Sequence, residues 1–190
     1  ASLNGAKDMD KVLIAPKQDS RGDWTQAEIQ SVFGTGERAR VCADAIIVRC
    51  GIPTEFPPEV LAEAEEISKM TVTPEDIAQR LDLRDEPIFT IDSADAKDLD
   101  DAICVHKTEN GYKLGVHIAD VSHYVKAKSA IDNEAYRRGT SVYFADRVIP
   151  MLPPALSDEL CSLAPGAERR SMTADLFLND EGELVRFSLY

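Results

Sequence analysis

The sequence predicts an α+β fold, a mixed or antiparallel sheet with flanking helices, from three observations. Apolar residues recur at helical spacing between residues 38 and 84. From residue 87 the pattern changes to β-branched and aromatic runs separated by a glycine, as in a hairpin. Residues 172–189 then alternate apolar and polar side chains around a turn. The chain has 190 residues, 44% of them hydrophobic, which is enough for one domain, or one domain and part of another, with a buried core.

Taken in order, Lys11-Val-Leu-Ile-Ala15 reads as a single strand, and residues 16–36 read as a polar linker with turns at Gly22, Gly34 and Gly36. Val41, Ala45 and Val48 recur at i, i+4, i+7 and predict a helix that stops at Gly51-Ile-Pro53. Pro57-Pro58 opens a second helix, whose Val60, Ala64 and Ile67 form an apolar stripe and whose Glu59, Glu63 and Glu66 form a solvated face. Thr73-Pro74-Glu75-Asp76 joins a hydroxyl cap, a first-position proline and a third-position acid, the start of a third helix. Residues 88–91 then predict a strand, and Gly111 divides the strands 102–106 and 112–118. Ser129 to Gly139 predicts a helix with both of its caps, residues 156–163 a short helix after Pro153-Pro154, and residues 172–189 a terminal hairpin. The strand pattern is still running at Tyr190, so the chain reads as part of something longer.

The formal charge is −13, from 21 basic and 34 acidic side chains, which argues against a surface that holds nucleic acid by phosphate neutralisation alone. Cys42, Cys50, Cys104 and Cys161 are too scattered for a paired-cysteine zinc motif and too few for a disulfide framework. No apolar run approaches the ~20 residues that span a bilayer. The expectation is a soluble cytoplasmic protein with reduced thiols and no membrane partner.

The densest chemical signal is residues 92–101, which carry Asp92, Asp95, Asp98, Asp100 and Asp101. Crowded carboxylates raise one another's pKa unless a cation compensates them, so the spacing suits a hard divalent ion. A solvated acidic turn is the competing reading, and composition alone does not separate the two. Two features favour the metal site: the acids follow a strand, and Ala94, Ala96 and Leu99 interrupt them with groups that can pack. An EF-hand fits poorly, because Lys97 and Leu99 break the alternation of ligands.

Residues 89–102, then 114–125, 138–143, 148–153 and 156–163, in that order, resemble the catalytic domain of the ribonuclease II and ribonuclease R family, closer to its ribonuclease R branch. The resemblance implies that residues 85–190 are the N-terminal half of an RNB-type catalytic domain. It further implies a helical connector at 41–84 and, at 1–40, a linker or the C-terminal remnant of a cold-shock-like (OB) domain. Its metal-site and catalytic acids fall on Asp92, Asp98, Asp100 and Asp101, and leave Asp95 without a role. The tyrosine that stacks on the 3′-terminal nucleotide falls on Tyr143, although spacing alone would make that residue a buried core aromatic. The implied reaction is Mg²⁺-dependent or Mn²⁺-dependent hydrolysis of single-stranded RNA from its 3′ end, releasing 5′-mononucleotides.

The family's essential arginine, a further acid and an S1-type domain have no counterpart in these 190 residues, so the chain alone is expected to hydrolyse RNA very slowly or not at all. Apolar sheet surface near Phe187 and Leu189 is expected to promote self-association. His117 and His123 are expected to be hydrogen-bonded core residues, and Arg137 and Arg138 to serve a helix C-terminus. Two other readings stay open. One is a catalytically inactive RNA- or protein-binding module. The other is a Mg²⁺-dependent nuclease of restriction type, built on Asp92 and Asp95-x-Lys97.

Overall fold

A computed structural model describes residues 3–19 and 21–190. Its elements in chain order begin with β1 (Asp10–Gln18), β2 (Trp24–Thr35), α1 (Ala39–Cys50), α2 (Pro58–Ser68) and α3 (Pro74–Gln79). There follow β3 (Asp101–Thr108), β4 (Gly111–Ala119), α4 (Val121–Tyr124), α5 (Ala130–Arg138), β5 (Val142–Tyr143) and β6 (Val148–Ile149). A π-helical turn (Ala155–Leu160), β7 (Ser171–Leu178) and β8 (Leu184–Leu189) complete the order. These elements form two compact units: residues 1–55 with 141–149, and residues 56–140 with 150–190.

In the first unit β1 and β2 form a long antiparallel hairpin, on which α1 packs through Ala43 and Ile47. The linker expected at residues 16–36 is therefore mostly strand. Half-buried Ala27 and Ile29 alternate with exposed Gln26, Glu28 and Gln30, a period of two that the polar composition conceals. The Arg147 guanidinium, between β5 and β6, lies 2.6 Å from the Asp44 carboxylate of α1 and joins the two chain segments of this unit. The division between the units falls between α1 and α2, since α1 belongs with the hairpin while α2 packs on α5 and the π-helical turn.

The second unit is built on a four-stranded antiparallel sheet in the order β3-β4-β7-β8. Its apolar core is formed by Val60, Ala64 and Ile67 of α2 with Ala119, Tyr124, Ile131, Leu156 and Cys161. Burying a side chain such as Leu156 contributes about 1.5–3 kcal/mol. The caps follow the sequence. Thr73 and Asp76 make a reciprocal capping box at α3, Ser129 caps α5, and Gly139 closes α5 in the left-handed conformation.

Four expectations change within this unit. Residues 88–91 form only a two-hydrogen-bond bridge, Phe89 to Ile103, because Pro87 has no N–H to donate and the chain turns at residues 93–96. The helix expected at 156–163 is the π-helical turn, closed by the Cys161 N–H on the Leu156 carbonyl, which frees Ser162 and Leu163 for other partners. Glu63 leaves the solvated face of α2 to accept the Ile131 N–H at 3.0 Å, satisfying an orphan donor of the first turn of α5. Arg137 and Arg138 both hydrogen-bond buried Glu134, and Arg138 also stacks 3.8 Å from the Phe56 ring centroid and donates to the Pro150 carbonyl.

Candidate metal centre

The acid loop is held by backbone and by one buried hydroxyl. Ser162 is fully buried, donates to the Lys97 carbonyl at 2.6 Å and accepts the Leu99 N–H at 3.3 Å. The Leu163 N–H reaches the Leu99 carbonyl at 2.8 Å, and the Ala119 N–H reaches the Asp100 carbonyl at 2.9 Å. Residues 97–100 are thereby stitched between the end of the π-helical turn and the end of β4, and Asp101 opens β3. Asp92 and Asp101 face solvent and Asp98 is half-buried, while Asp100 is exposed as a residue but has its carboxyl partly enclosed.

Electrostatically, three of the acids act on the fourth, Asp100. The Asp100 carboxyl is held above the usual carboxylate range, first by burial and then by the negative charges of Asp98, Asp101 and Asp92. The buried Cys161 thiol is pushed up to about 11, by burial and then by the charges of Asp100 and Asp120. The loop does not present a closed cage. Among the described residues, the potential ligand atoms of three side chains that meet within 4.8 Å belong to Glu86, Cys104 and His106, not to the acids. Oxygen donors of this number and hardness fit Mg²⁺ or Mn²⁺, whose charge would relieve the mutual repulsion that raises Asp100.

Beside the loop, Asp120 caps α4 and meets Arg80 at 2.7 Å. Burial works against its charge, but hydrogen bonds from Arg80 and Ser122 outweigh that and keep its carboxyl below the usual range. Arg170, also buried, donates to both oxygens of Asp76, to the Tyr124 hydroxyl and to the Thr71 carbonyl, locking α3 against the sheet. His117 is buried, its Nδ1 3.0 Å from the Thr173 hydroxyl, and burial holds its pKa below the ordinary histidine value. The pKa of His123 is lowered in the same direction, by burial and then by the charges of Arg170 and Arg80. Tyr143 lies in the other unit on β5 with 63% of its surface exposed, so it is not the core aromatic that spacing alone suggests. Ser162, Arg80 and Arg170 carry no local signal in the sequence. Each matters through partners at least 40 residues away.

Comparison with known proteins matches residues 80–190 to the RNB domain, more than half of the chain. The chain belongs to the RNB family. The Ribonuclease R of Thermotoga maritima is 46% identical over 193 residues, an alignment that covers 100% of this chain and 27% of the relative. A solved RNase R of Mycoplasma genitalium, in complex with double-stranded RNA, superposes with a TM-score of 0.82 at 32% identity, covering 100% of this chain and 34% of that one. The same enzyme in complex with ribose-methylated single-stranded RNA gives a TM-score of 0.80 at 31% identity, over 100% of this chain and 30% of that one. The chain thus spans about a quarter to a third of the length of these RNB relatives. Within the second unit, no described helix is long and apolar enough to cross a membrane, and the same holds for the rest of the described chain.

Proposed function

We propose that this chain is the metal-binding part of a 3′-to-5′ exoribonuclease that releases 5′-mononucleotides from single-stranded RNA. The observation that carries the reading is the match of residues 80–190 to the RNB domain, within which Asp92, Asp98, Asp100 and Asp101 lie along one loop tethered at residues 97–100. Mg²⁺ or Mn²⁺, held by Asp92, Asp98, Asp100 and Asp101, would supply Lewis acidity at the terminal phosphodiester. The part of this chain is positioning. Ser162, Leu163 and Ala119 fix the backbone of residues 97–100, so that Asp98 and Asp100 project from a tethered loop. Tyr143 offers an exposed ring on which a terminal base can stack, an interaction of roughly 1–3 kcal/mol.

The cation clamp that phosphoryl transfer also needs is not supplied by the arginines nearest the matched motifs. Arg137 and Arg138 are committed to Glu134, and Arg147 to Asp44. Loss of such a clamp typically costs on the order of 10³–10⁵ in rate, so the isolated chain is expected to bind metal and to cleave RNA barely at all. The test joins calorimetric titration with Mg²⁺ and Mn²⁺ to an assay on 3′-labelled single-stranded RNA. Heat of binding that disappears in Asp100→Asn supports the reading. RNA binding without any divalent heat would favour the inactive binding module, and rapid Mg²⁺-dependent release of mononucleotides would show that the clamp lies within this chain.

A further inference from the structure

The buried face of the β3–β4–β7 sheet carries Ala102, Cys104, His117, Thr173 and Asp175 and is chemically specific. Strand register sets Ala102 against His117 and Cys104 against Gly115 across β3 and β4, and His117 against Thr173 across β4 and β7. The extended segment before Phe89 lays Glu86 beside this face, where its carboxylate meets His106 Nε2 at 2.6 Å. On the same face, Cys104 Sγ lies 3.4 Å from His117 Nε2. Ligand-type atoms of Glu86, Cys104 and His106 all fall within 4.8 Å of one another.

We infer that Glu86, Cys104, His106 and His117 form a transition-metal site of zinc type, separate from the acid loop. Three independent features carry this. The donor set, one thiolate, two imidazoles and one carboxylate, is what Zn²⁺ takes in four-coordinate sites and what Mg²⁺ avoids. Next, the space is built: a Cβ on Gly115 would stand 2.7 Å from Cys104 Sγ and 3.1 Å from His117 Nε2, so the glycine keeps the point between these two ligands clear. Finally, His117 is already oriented, because the Thr173 hydroxyl on Nδ1 leaves Nε2 to point at the sulfur, the outer hydrogen bond that metal-ligating histidines ordinarily make.

The distances are those of a site that closes on its ion. Tetrahedral ligands with ~2.1 Å bonds stand roughly 3.4 Å apart. The Cys104–His117 pair already has that spacing. Glu86 and His106, with side chains 33% and 40% exposed, have the freedom to move the remaining distance. The surrounding charges balance: Lys113 is paired with Asp175 at 2.9 Å, and Asp175 also accepts from the Tyr190 hydroxyl. A cavity of about 920 Å³, lined among others by Glu86, His117, Thr173 and Tyr190, gives a way in. Burial raises the pKa of the Cys104 thiol and lowers that of His117, so binding would displace the thiol proton to solvent while finding the imidazole neutral. An ion here would fasten the 84–89 segment onto β3 immediately before the chain enters the acid loop.

The inference does not rest on the exonuclease reading, and its test keeps the two apart. The full 190-residue chain, stripped with chelator, is titrated with Zn²⁺ and with Co²⁺ as a spectroscopic probe. The expected result is one ion per chain at sub-micromolar affinity, undisturbed by excess Mg²⁺, with a thiolate-to-cobalt charge-transfer band and release of a proton. Cys104→Ser should abolish the band while Cys50→Ser, at an exposed site, keeps it. Thr173→Val should weaken affinity about 10–100-fold. His106→Gln, at a half-exposed position that spares the core, should also weaken binding, and so serves if Cys104→Ser does not fold. Asp100→Asn should leave the cobalt spectrum unchanged. Absence of stoichiometric uptake, or a cobalt band that survives both Cys104→Ser and His106→Gln, would overturn the assignment.

Discussion

Replacing Ser162 by alanine removes one buried oxygen and with it two hydrogen bonds into the acid loop, 2.6 Å to the Lys97 carbonyl and 3.3 Å from the Leu99 N–H. The short bond contributes about 1–1.5 kcal/mol and the long one about 0.5 kcal/mol, and methyl in place of hydroxymethyl leaves no sizeable cavity. The expected cost is therefore about 2 kcal/mol, a fall in melting temperature of roughly 4–8 °C for a chain of this size. A purely global effect is distinguished by Leu156→Ala, which empties the centre of the core and costs about 3 kcal/mol, within a usual range of roughly 2–5. The core variant should melt lower than Ser162→Ala yet bind Mg²⁺ with unchanged affinity below its melting temperature. Ser162→Ala should bind about tenfold more weakly, because the loop must first be ordered. Amide exchange at Leu99 should accelerate in Ser162→Ala only. If Ser162→Ala matches wild type in both Leu99 exchange and Mg²⁺ affinity, the hydroxyl does not position the acids.

Three further outcomes follow from the same structure. Because the Asp100 carboxyl is raised, its ionised form costs native stability at neutral pH and the cost fades as pH falls through its native value. Without divalent ions Asp100→Asn should thus melt above wild type at about pH 7 and converge with it in acid, and added Mg²⁺ should raise only wild type, as read by calorimetric melts. Asp76 is the opposite case: hydrogen bonds from Arg170, then Thr73, hold its carboxyl well below the ordinary range, so its contribution is complete above about pH 4 and is lost as pH falls further. Asp76→Asn should therefore melt below wild type at neutral pH, with the gap narrowing toward about pH 2. Val185 and Phe187 on β8 are 68% and 61% exposed, and if this edge strand drives self-association then the pair Val185→Lys and Phe187→Lys should shift light-scattering mass toward monomer with little change in melting temperature.

Legibility followed how local each cause is. Helices α2, α3 and α5 could be read because their stop and start signals lie within one turn: Pro57-Pro58, the Thr73–Asp76 box, and Ser129 with Gly139. Strands β3, β4, β7 and β8 could be read because Gly111 and residues 179–182 punctuate clean apolar alternation. The strand β2 escaped because its half-buried alternate positions include small Ala27 among glutamines and a glutamate, where a period of two has little amplitude. Residues 88–91 have strand composition but find one partner residue, and composition says nothing about partners. At the site, the density of aspartates could be seen directly. The anchor at Ser162 could not, since it arises from the Cys161 closure of the π-helical turn more than 60 residues away. Glu86, Cys104 and His106 come within 4.8 Å of one another, and Cys104 reaches His117, through strand register and the Phe89–Ile103 bridge, so no spacing in the sequence announces them.

The first unit is discontinuous: its β1–β2 hairpin and α1 precede residue 55, but the segment carrying Arg147 is made only after residues 56–140. On a ribosome working at about 5–20 residues per second, Asp44 therefore waits several seconds for its partner, and this unit completes after much of the second has emerged. Because the chain passes between the units three times, no single cut between residues 56 and 140 yields both units whole. A protease that nicks the polypeptide there leaves each fragment lacking something the other carries, and because the second unit runs on through residues 150–190, a gene fusion that respects this architecture must carry both units together.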